Sequence, residues 1–247
     1  MKYFIRRKSK VGNIRKTIWS ALILGSAFAA FMPVDLNAED EVVKKEQNEN
    51  QKKDLSIKNI FLDLQISALE SLPKATRLDM IDYWDADSVY KAPNVMEGLS
   101  WIENMNETYM KIVISPVSTL EIKTLPAKKG SIIMTIYTVG DDVQAKDSSV
   151  KFYDEKMNEL PTEKYFQTLE VKDFFSIPKG SITKMKEIEQ MIPFPTIAYD
   201  VSPEEDIVTA YLTVEQYINE DDWNIAKLFA KPYVKLEWKK DKFRIMK

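Results

Sequence analysis

A run of short segments in which apolar and polar residues alternate, from residue 108 to residue 154, constrains the fold of this chain more than any other feature. In TYMKIVIS a Met and two Ile residues stand at every second position, and successive side chains of a strand point to opposite faces. STLEIKTL has the same period, which predicts apolar residues inside and Glu121 and Lys123 in water. GSIIMTIYTV is apolar on both faces, which predicts a central strand with its second face covered. The connections are too short for crossover helices, so the strands should pair antiparallel.

Two amphipathic helices are predicted before this run. The first begins after Asp54 or Ser56 and ends at Pro73, because a proline interrupts helical hydrogen bonding. Its apolar stripe has helical spacing and consists of Ile57, Ile60, Phe61, Leu64 and Ala68. We expect this helix to cover the apolar sheet. The second helix, predicted to be capped by Thr76, carries the acidic segment RLDMIDYWDADS.

The C-terminal half combines short helices with further strands. SITKMKEIEQMI and NEDDWNIAKLFA are predicted helices, the second capped by Asn219, and FPTIAYDVS, DIVTAYLT, YVKLEWKK and KFRI are predicted strands. Because the strands come in runs, the sequence predicts an α+β fold: mainly antiparallel sheets, an N-terminal amphipathic helix packed on one face, and short C-terminal helices. We expect one domain over residues 57–247, with two subdomains, 57–160 and 161–247, as the alternative.

Residues 1–38 resemble a secretion signal. A basic start precedes the apolar run TIWSALILGSAFAAFM, and LNA before Glu39 is suited to cleavage. The run is shorter than the roughly 20 residues of a spanning helix, although an uncleaved anchor stays open as an alternative. The chain has no Cys to acylate, so we do not expect a lipoprotein. Residues 39–56 are charged and nearly free of apolar residues, which predicts a flexible tether.

Charge argues against a nucleic-acid partner. Residues 1–38 carry 7 of the 35 basic and 1 of the 38 acidic residues, which leaves 28 basic against 37 acidic residues, a net charge of −9. Phosphate binding depends on clustered Lys and Arg. After cleavage of the signal we expect an acidic protein of the periplasm or cell envelope with no integral membrane domain.

Residue types that are missing exclude several kinds of chemistry. The chain has no His and no Cys, which excludes His-dependent nucleophile systems and the usual zinc ligands. None of its few glycines lies in a phosphate-binding loop of common spacing. We therefore expect no cofactor, and any catalysis would depend on carboxylates, Lys, Tyr or a Ser–Lys pair.

The acidic segment provides the candidate site residues, Asp79, Asp82, Tyr83, Asp85 and Asp87. Three of the aspartates recur every third residue and form a stripe on a helix. Oxygen ligands suit Ca²⁺, and paired carboxylates suit acid–base hydrolysis of a polymer held on aromatic rings. The alternative is an amphipathic helix with solvated aspartates and with Leu78, Ile81 and Trp84 facing the core. A loop with the Ca²⁺-binding pattern is missing from the segment.

Aromatic residues near the C-terminus and in one early strand provide a second candidate, a carbohydrate-binding face. These residues are Trp101, Trp223, Trp238, Tyr199, Tyr211 and Tyr233. Aromatic residues of strands more often fill a core, which is the preferred interpretation.

Five segments of the chain resemble an uncharacterised family of exported proteins from Bacteroidales. They are LPKATRLDMIDYWDADS, NVMEGLSWIENMNETYMKIVISPVSTLEIKTLP, GSIIMTIYTV, DSSVKFYDEKMNELP and the final LTVEQYINEDDWNIAKLFAKPYVKLEWKKDKFRI. The resemblance implies an envelope location and an α+β fold, and it transfers no catalytic residue. The tripeptide at residues 87–89 is similar to a short O-glycosylation acceptor motif of such bacteria, which would modify Ser88.

Three hypotheses follow for the function. The first is a non-catalytic accessory or binding protein of the cell envelope whose partner is another envelope protein or a glycan. The second is a carboxylate-dependent hydrolase of an envelope polymer, which requires two of the aspartates to meet in a concave pocket with Tyr83. The third is a structural calcium-binding module at the same segment.

Overall fold

The computed structural model describes residues 55–88, 91–141, 143–178 and 181–246, and these belong to one compact unit. The predicted signal sequence and almost all of the predicted tether lie outside the described residues. Within the described part, none of the helices is both long and apolar enough to cross a bilayer.

Five short α-helices occur among the described residues, with three single 3₁₀ turns at Ser67–Leu69, Val171–Phe174 and Val214–Gln216. The helices are α1 (Ile57–Asp63), α2 (Lys74–Asp85), α3 (Thr162–Tyr165), α4 (Ile182–Met191) and α5 (Glu220–Ala226). The Asn219 side chain accepts hydrogen bonds from two backbone N–H groups at the start of α5, which confirms the predicted cap.

Eleven strands form two antiparallel sheets in the described part of the chain. The first sheet contains, in spatial order, β1 (Ala92–Pro93), β2 (Leu99–Met105), β3 (Tyr109–Ser115), β4 (Ser118–Pro126), β5 (Ser131–Val139), β6 (Asp147–Tyr153) and β7 (Glu159–Leu160). The second contains β8 (Ile197–Val201), β9 (Ile207–Leu212), β10 (Val234–Trp238) and β11 (Phe243–Ile245). Each strand pairs with its neighbour in sequence, as the short connections require. The predicted α+β class is confirmed.

The seven-stranded sheet is covered on both faces. On one face, buried residues of α1 and α2 pack against apolar residues of β2 to β5, including Ile112, Leu120 and Ile133. On the other face, Met134, Ile136 and other residues of β4 to β6 share a core with the four-stranded sheet and the C-terminal helices. The covering by the N-terminal helix is as predicted.

The second sheet meets the first through the outer edge of β8. The backbone N–H groups of Ile197, Tyr199 and Val201 point away from β9 and donate to side chains of the first sheet. Their acceptors are Asp147 Oδ1 at 3.1 Å, Ser148 Oγ at 3.0 Å and Glu121 Oε2 at 3.2 Å. Each N–H group of a strand edge buried in this way needs an acceptor, because water cannot reach it. The side chains of Asp147, Ser148 and Glu121 supply one acceptor each.

The first helix is shorter than the sequence predicts. It ends at Asp63, because Leu64 has an extended backbone. The next helical residues form a 3₁₀ turn that begins at Ser67. The buried guanidinium of Arg77 stabilises this end: Nη1 donates to Phe61 O at 2.6 Å and to Leu64 O at 3.1 Å. A charged donor thus satisfies carbonyl groups that a longer helix would have satisfied.

The second helix also differs from its prediction at two positions. It begins one turn earlier, after Pro73, so Thr76 lies inside the helix and does not cap it. Leu78 is 48% exposed, and Arg77, Met80 and Ile81 form the buried side. The contact of Arg77 with the end of α1 fixes this rotation of the helix.

The prediction that Glu121 and Lys123 face water is wrong. They are 3% and 2% exposed, because the second sheet covers their face of β4. Lys123 Nζ donates to Pro203 O at 2.8 Å and to Ser202 O at 3.3 Å in the loop between β8 and β9. Alternation shows which residues share a face, but it cannot show that a later segment covers that face.

Candidate functional site

The candidate residues of the acidic segment lie on the outer side of α2 and just beyond its end. Asp79, Asp82, Tyr83, Asp85 and Asp87 are all exposed. Asp85 accepts both of its described hydrogen bonds from Lys58 Nζ, at 2.7 Å. The helix therefore presents these side chains to solvent, with the spacing that the sequence predicted.

The open depression beside the end of α2 does not bring these aspartates together. Asp85 lines an open depression with Trp84 and Met105, whereas Asp79 and Asp82 do not line it. Among the described residues there is also no group of three or more acidic side chains placed to hold a metal ion. The hydrolase and calcium hypotheses thus have no assembled site to start from at this segment.

The predicted aromatic face is dispersed over the fold. Trp238 is buried, and its Nε1 donates to Pro126 O at 2.7 Å. Tyr211 and Tyr233 form an exposed edge-to-face pair with ring centroids 6.4 Å apart. Trp101 belongs to the other sheet, and the centroid of its ring lies 4.4 Å from Lys91 Nζ. Trp238 therefore belongs to the core, and the other rings make contacts at different places on the fold.

An open groove of about 820 Å³ lies at one end of the seven-stranded sheet and is called here the apolar groove. It lies between the 3₁₀ turn at Ser67–Leu69, the β1–β2 loop, the β3–β4 turn and the end of β5. Seven of its fifteen lining residues have aliphatic side chains, and four are serines; the seven are Ala68, Val95, Met96, Ile114, Pro116, Val117 and Val139. Met96 is 78% exposed and Val95 is 65% exposed. Neighbouring exposed apolar side chains of this kind mark interaction surfaces.

The β1–β2 loop of the groove is held in shape by the buried side chain of Asn94. Its Oδ1 accepts from the backbone N–H groups of Met96 and Gly98, each at 3.0 Å. Its Nδ2 donates to Ser100 Oγ and to Ile114 O, also at 3.0 Å. Both N–H groups and both acceptor lone pairs of this amide are used, so the loop that carries the exposed Met96 is firmly held.

The groove also contains a polar group without a partner. Ser71 is a lining residue that is 8% exposed, and its Oγ has no hydrogen-bond partner among the described residues. Buried hydroxyl groups are normally paired, and an unpaired one requires an explanation. A molecule in the groove would not provide one, because this oxygen has almost no accessible surface.

A second, smaller cavity of about 270 Å³ lies between the two sheets. Glu121 lines it, and its Oε2 accepts from Tyr109 Oη at 2.6 Å and from Val201 N. Burial raises the pKa of Glu121 to about 7, and the Asp200 charge adds to the rise, while the bond from Tyr109 and the Lys111 charge oppose it. This cavity is called here the inter-sheet cavity.

Comparison with known proteins identifies the family. A family model described as "Protein of unknown function (DUF3256)" matches residues 48–243, more than three quarters of the sequence. The chain belongs to the DUF3256 family. The predicted likeness to an uncharacterised family is confirmed, whereas export stays a prediction.

One solved structure similar to this DUF3256 member is "Structure of a domain of an uncharacterized protein from Porphyromonas gingivalis W83". The two share 21% sequence identity with a TM-score of 0.65, over 76% of this chain and 96% of that chain. At this identity the likeness shows a common fold alone. No curated protein matches the chain.

Sequence reasoning did not single out the residues that shape the apolar groove in this DUF3256 chain. Ser71, Asn94, Val95, Met96 and Val117 lie in loops and turns without periodicity, where no pattern marks them. Glu121 did carry a signal: it is a carboxylate in the middle of a long strand between apolar neighbours. Only the position of β8 shows that this carboxylate is enclosed.

Proposed function

We propose that this protein is a non-catalytic binding protein of the bacterial cell envelope, and that the apolar groove binds an extended segment of a protein partner. The observation that carries the proposal is the groove itself, a large open depression at one end of the sheet with exposed aliphatic side chains in its lining.

The chemistry of the lining favours a protein over a glycan. Tyr137 is the single aromatic side chain among the described residues that line the groove, and burying sugar hydroxyl groups against aliphatic walls costs free energy. Aliphatic side chains of a peptide lose no hydrogen bonds there. The flexible thioether of Met96 adapts to such side chains.

Charge indicates what flanks the bound segment. Glu70 is the one charged residue among the described lining residues, and it is exposed. The sequence after residue 38 also has an excess of acidic residues. Complementary charge steers encounter and selects partners, so the proposed segment carries Lys or Arg beside its aliphatic residues.

The proposed location rests on the first 38 residues, whose basic start, apolar run and small-residue LNA site are typical of an export signal. Fractionation of cells that express the full chain tests it. We expect the protein in the periplasmic or envelope fraction with Glu39 as its first residue. Recovery in the cytoplasm with residues 1–38 intact would remove the envelope from the proposal.

Binding is tested by fluorescence anisotropy with a labelled peptide of alternating Val and Thr residues that ends in lysines. We expect a Kd on the order of 1–100 μM, typical of small transient interfaces. Val117→Glu and Val139→Glu place a charge in the groove and should weaken binding at least tenfold, by roughly 1.4 kcal/mol or more.

The matched control is Val143→Glu, because Val143 is an exposed valine that does not line the groove. This variant should bind like the unchanged protein. Equal loss in all three variants, or binding of an oligosaccharide but of no peptide, would contradict the proposed protein partner.

A further inference from the structure

A smaller depression of about 200 Å³ adjoins the apolar groove and is called here the polar pocket. The groove and the pocket share three lining residues, Ser67, Ala68 and Tyr137. Apart from Ile66, the other lining residues of the pocket all carry a polar group; they are Gln65, Thr135, Ser149, Lys151, Tyr153 and Glu159. A molecule that fills the groove and continues past Tyr137 therefore meets hydrogen-bonding side chains.

The register of β5 explains this change from apolar to polar lining. Val139, Tyr137 and Thr135 are successive alternate residues of β5, so their side chains lie on the same face of the sheet. Val139 lines the groove, Tyr137 lines both depressions and Thr135 lines the polar pocket. On the neighbouring strand β6, Ser149 stands opposite Tyr137 and Lys151 stands opposite Thr135. These residues therefore form a continuous row from the groove to the polar pocket.

The spacing of this row matches that of an extended peptide. Alternate residues of a strand are roughly 6.6–6.8 Å apart, and an extended segment that follows β5 has the same interval between its own alternate side chains. When one side chain of the segment lies at Val139, the next alternate side chain lies at Tyr137 and the one after that lies at Thr135. The residue that faces the polar pocket is therefore four positions from the residue at Val139.

The charges of the polar pocket suit an uncharged side chain with both donors and acceptors. Lys151 Nζ and Glu159 Oε2 form an ion pair at 3.0 Å, and both side chains are about half exposed. They are the charged residues among the described residues that line the pocket, so its formal charge is zero. A carboxamide has N–H groups for Glu159 and a carbonyl oxygen for Lys151. A charged side chain would be attracted by one member of the pair and repelled by the other.

We infer that the segment bound in the apolar groove continues into the polar pocket and places an Asn or Gln side chain there, four residues from its aliphatic side chain at Val139. This inference rests on the proposed function and specifies the sequence of the partner segment. Gln65 and Ser149, both exposed, are further hydrogen-bonding partners for the carboxamide. Glu70 lines the groove but not the polar pocket, so the basic residue that it favours stands at a different position of the segment.

Fluorescence anisotropy of the full chain with labelled peptides tests the inference. The reference peptide alternates four Val with three Thr residues and ends in lysines; two others carry Asn in place of the first Val or of the last Val. The direction of the bound segment decides which Asn reaches the polar pocket. That peptide should bind about three- to tenfold more tightly than the reference, the gain expected from one net hydrogen bond. The other Asn peptide should bind more weakly than the reference, because its Asn replaces an apolar contact.

A fourth peptide and two variants identify the groups that select the carboxamide. Asp in place of the favoured Asn should remove the gain, because a carboxylate cannot donate to Glu159. Lys151→Met should reduce the ratio of Asn-peptide to reference-peptide affinity to about one. Lys184→Met is the matched control, because Lys184 forms an ion pair with Glu187 at 3.1 Å on α4 and lines neither depression. This control should keep the ratio of the unchanged protein.

Three results would overturn the inference and leave the proposed function in place. They are equal affinity for the reference and both Asn peptides, tighter binding of the Asp peptide than of the Asn peptide, and a preference for Asn that is the same in Lys151→Met and Lys184→Met. Binding of no peptide at all would contradict the proposed function and the inference together. Each result compares peptides on one protein, so a change in the stability of a variant does not affect it.

Discussion

At the scale of single residues, two charged side chains on one strand are buried by different means. Lys123 keeps its hydrogen bonds by donating to the carbonyls of Ser202 and Pro203, and burial lowers its pKa although the charges of Asp206 and Glu204 oppose this. Glu121 accepts two hydrogen bonds but forms no direct ion pair. Its burial therefore favours the protonated, uncharged form of the carboxyl group. The pH dependence of the protein's stability should therefore arise more from Glu121 than from Lys123.

Glu121→Gln should remove a pH dependence of stability. Burial raises the pKa of Glu121 from 4.5 to about 7, so between these values the folded protein keeps a proton that the unfolded chain releases. The free energy of unfolding should fall by about 3 kcal/mol as pH rises from 4.5 to above 7. Urea unfolding at several pH values measures this. The variant should be the more stable protein at pH 8 and should show a flatter profile; a parallel profile would contradict the assignment to Glu121.

Gly140→Ala should destabilise the protein by roughly 2–4 kcal/mol. Gly140 has φ +112, which side chains rarely tolerate, and an added Cβ would lie 2.5 Å from the backbone oxygen of Ala145. Thermal or urea unfolding measures the loss. Gly98→Ala is the matched comparison, because the nearest atom there is Asn94 Nδ2 at 3.1 Å and φ is not in the positive range. If both variants lost the same stability, backbone conformation would not be the cause.

At the scale of elements, the helical layer depends on one contact between α1 and α2. Arg77 reaches from α2 to the carbonyls of Phe61 and Leu64 at the end of α1, and its guanidinium lies 5.8 Å from the centroid of the Phe61 ring. Burial lowers the pKa of Arg77, and the charge of Asp63 opposes this. The arginine therefore acts as an internal cap for a helix that has no glycine at its end.

Arg77→Ala should destabilise the protein by about 2–4 kcal/mol, because two buried carbonyls lose a charged donor and the side-chain stem leaves a void. Chemical unfolding measures the loss, and hydrogen exchange should show faster opening of residues 57–72 than of the sheet. Lys74→Ala removes only an exposed ion pair with Asp63 and should change stability by less than about 1 kcal/mol. Equal effects of the two substitutions would contradict the capping role.

Much of this element-scale structure was predictable from periodicity. The strands β3 to β6 and β8 to β11 lie where apolar strand patterns predict them, because a two-residue period reports directly on which side chains share a face. The early end of α1 was not predictable, since the apolar stripe continues through Ala68 while a distant arginine ends the helix. Glu121 was misplaced for a related reason: what covers a face depends on a segment some 80 residues later.

At the scale of the whole molecule, the two sheets share one core. Met134, Ile136 and Phe152 of the first sheet pack in the same buried cluster as Val208 and Leu236 of the second. Hydrogen bonds cross between them at Trp238–Pro126 and Lys123–Pro203, and through the amides of β8. Because of these contacts, we predict that residues 57–247 fold as one unit.

Expression of residues 57–160 alone should therefore give a chain without cooperative unfolding. Its exposed face would carry Glu121, Lys123 and a row of apolar residues without cover. Circular dichroism during heating measures this. The chain of residues 57–247 is the control and should melt in a single sharp transition, whereas a sharp melt of the shorter chain would support two subdomains.

The polar side chains that meet the outer edge of β8 have a consequence for self-association. An open strand edge is a template on which a second chain can add a strand and begin a fibril. Here that template is already occupied by Asp147, Ser148 and Glu121, and the other sheet margins, β1, β7 and β11, are only two or three residues long. A crowded solution of this protein should consequently resist cross-β polymerisation, although nearly half of its sequence is hydrophobic.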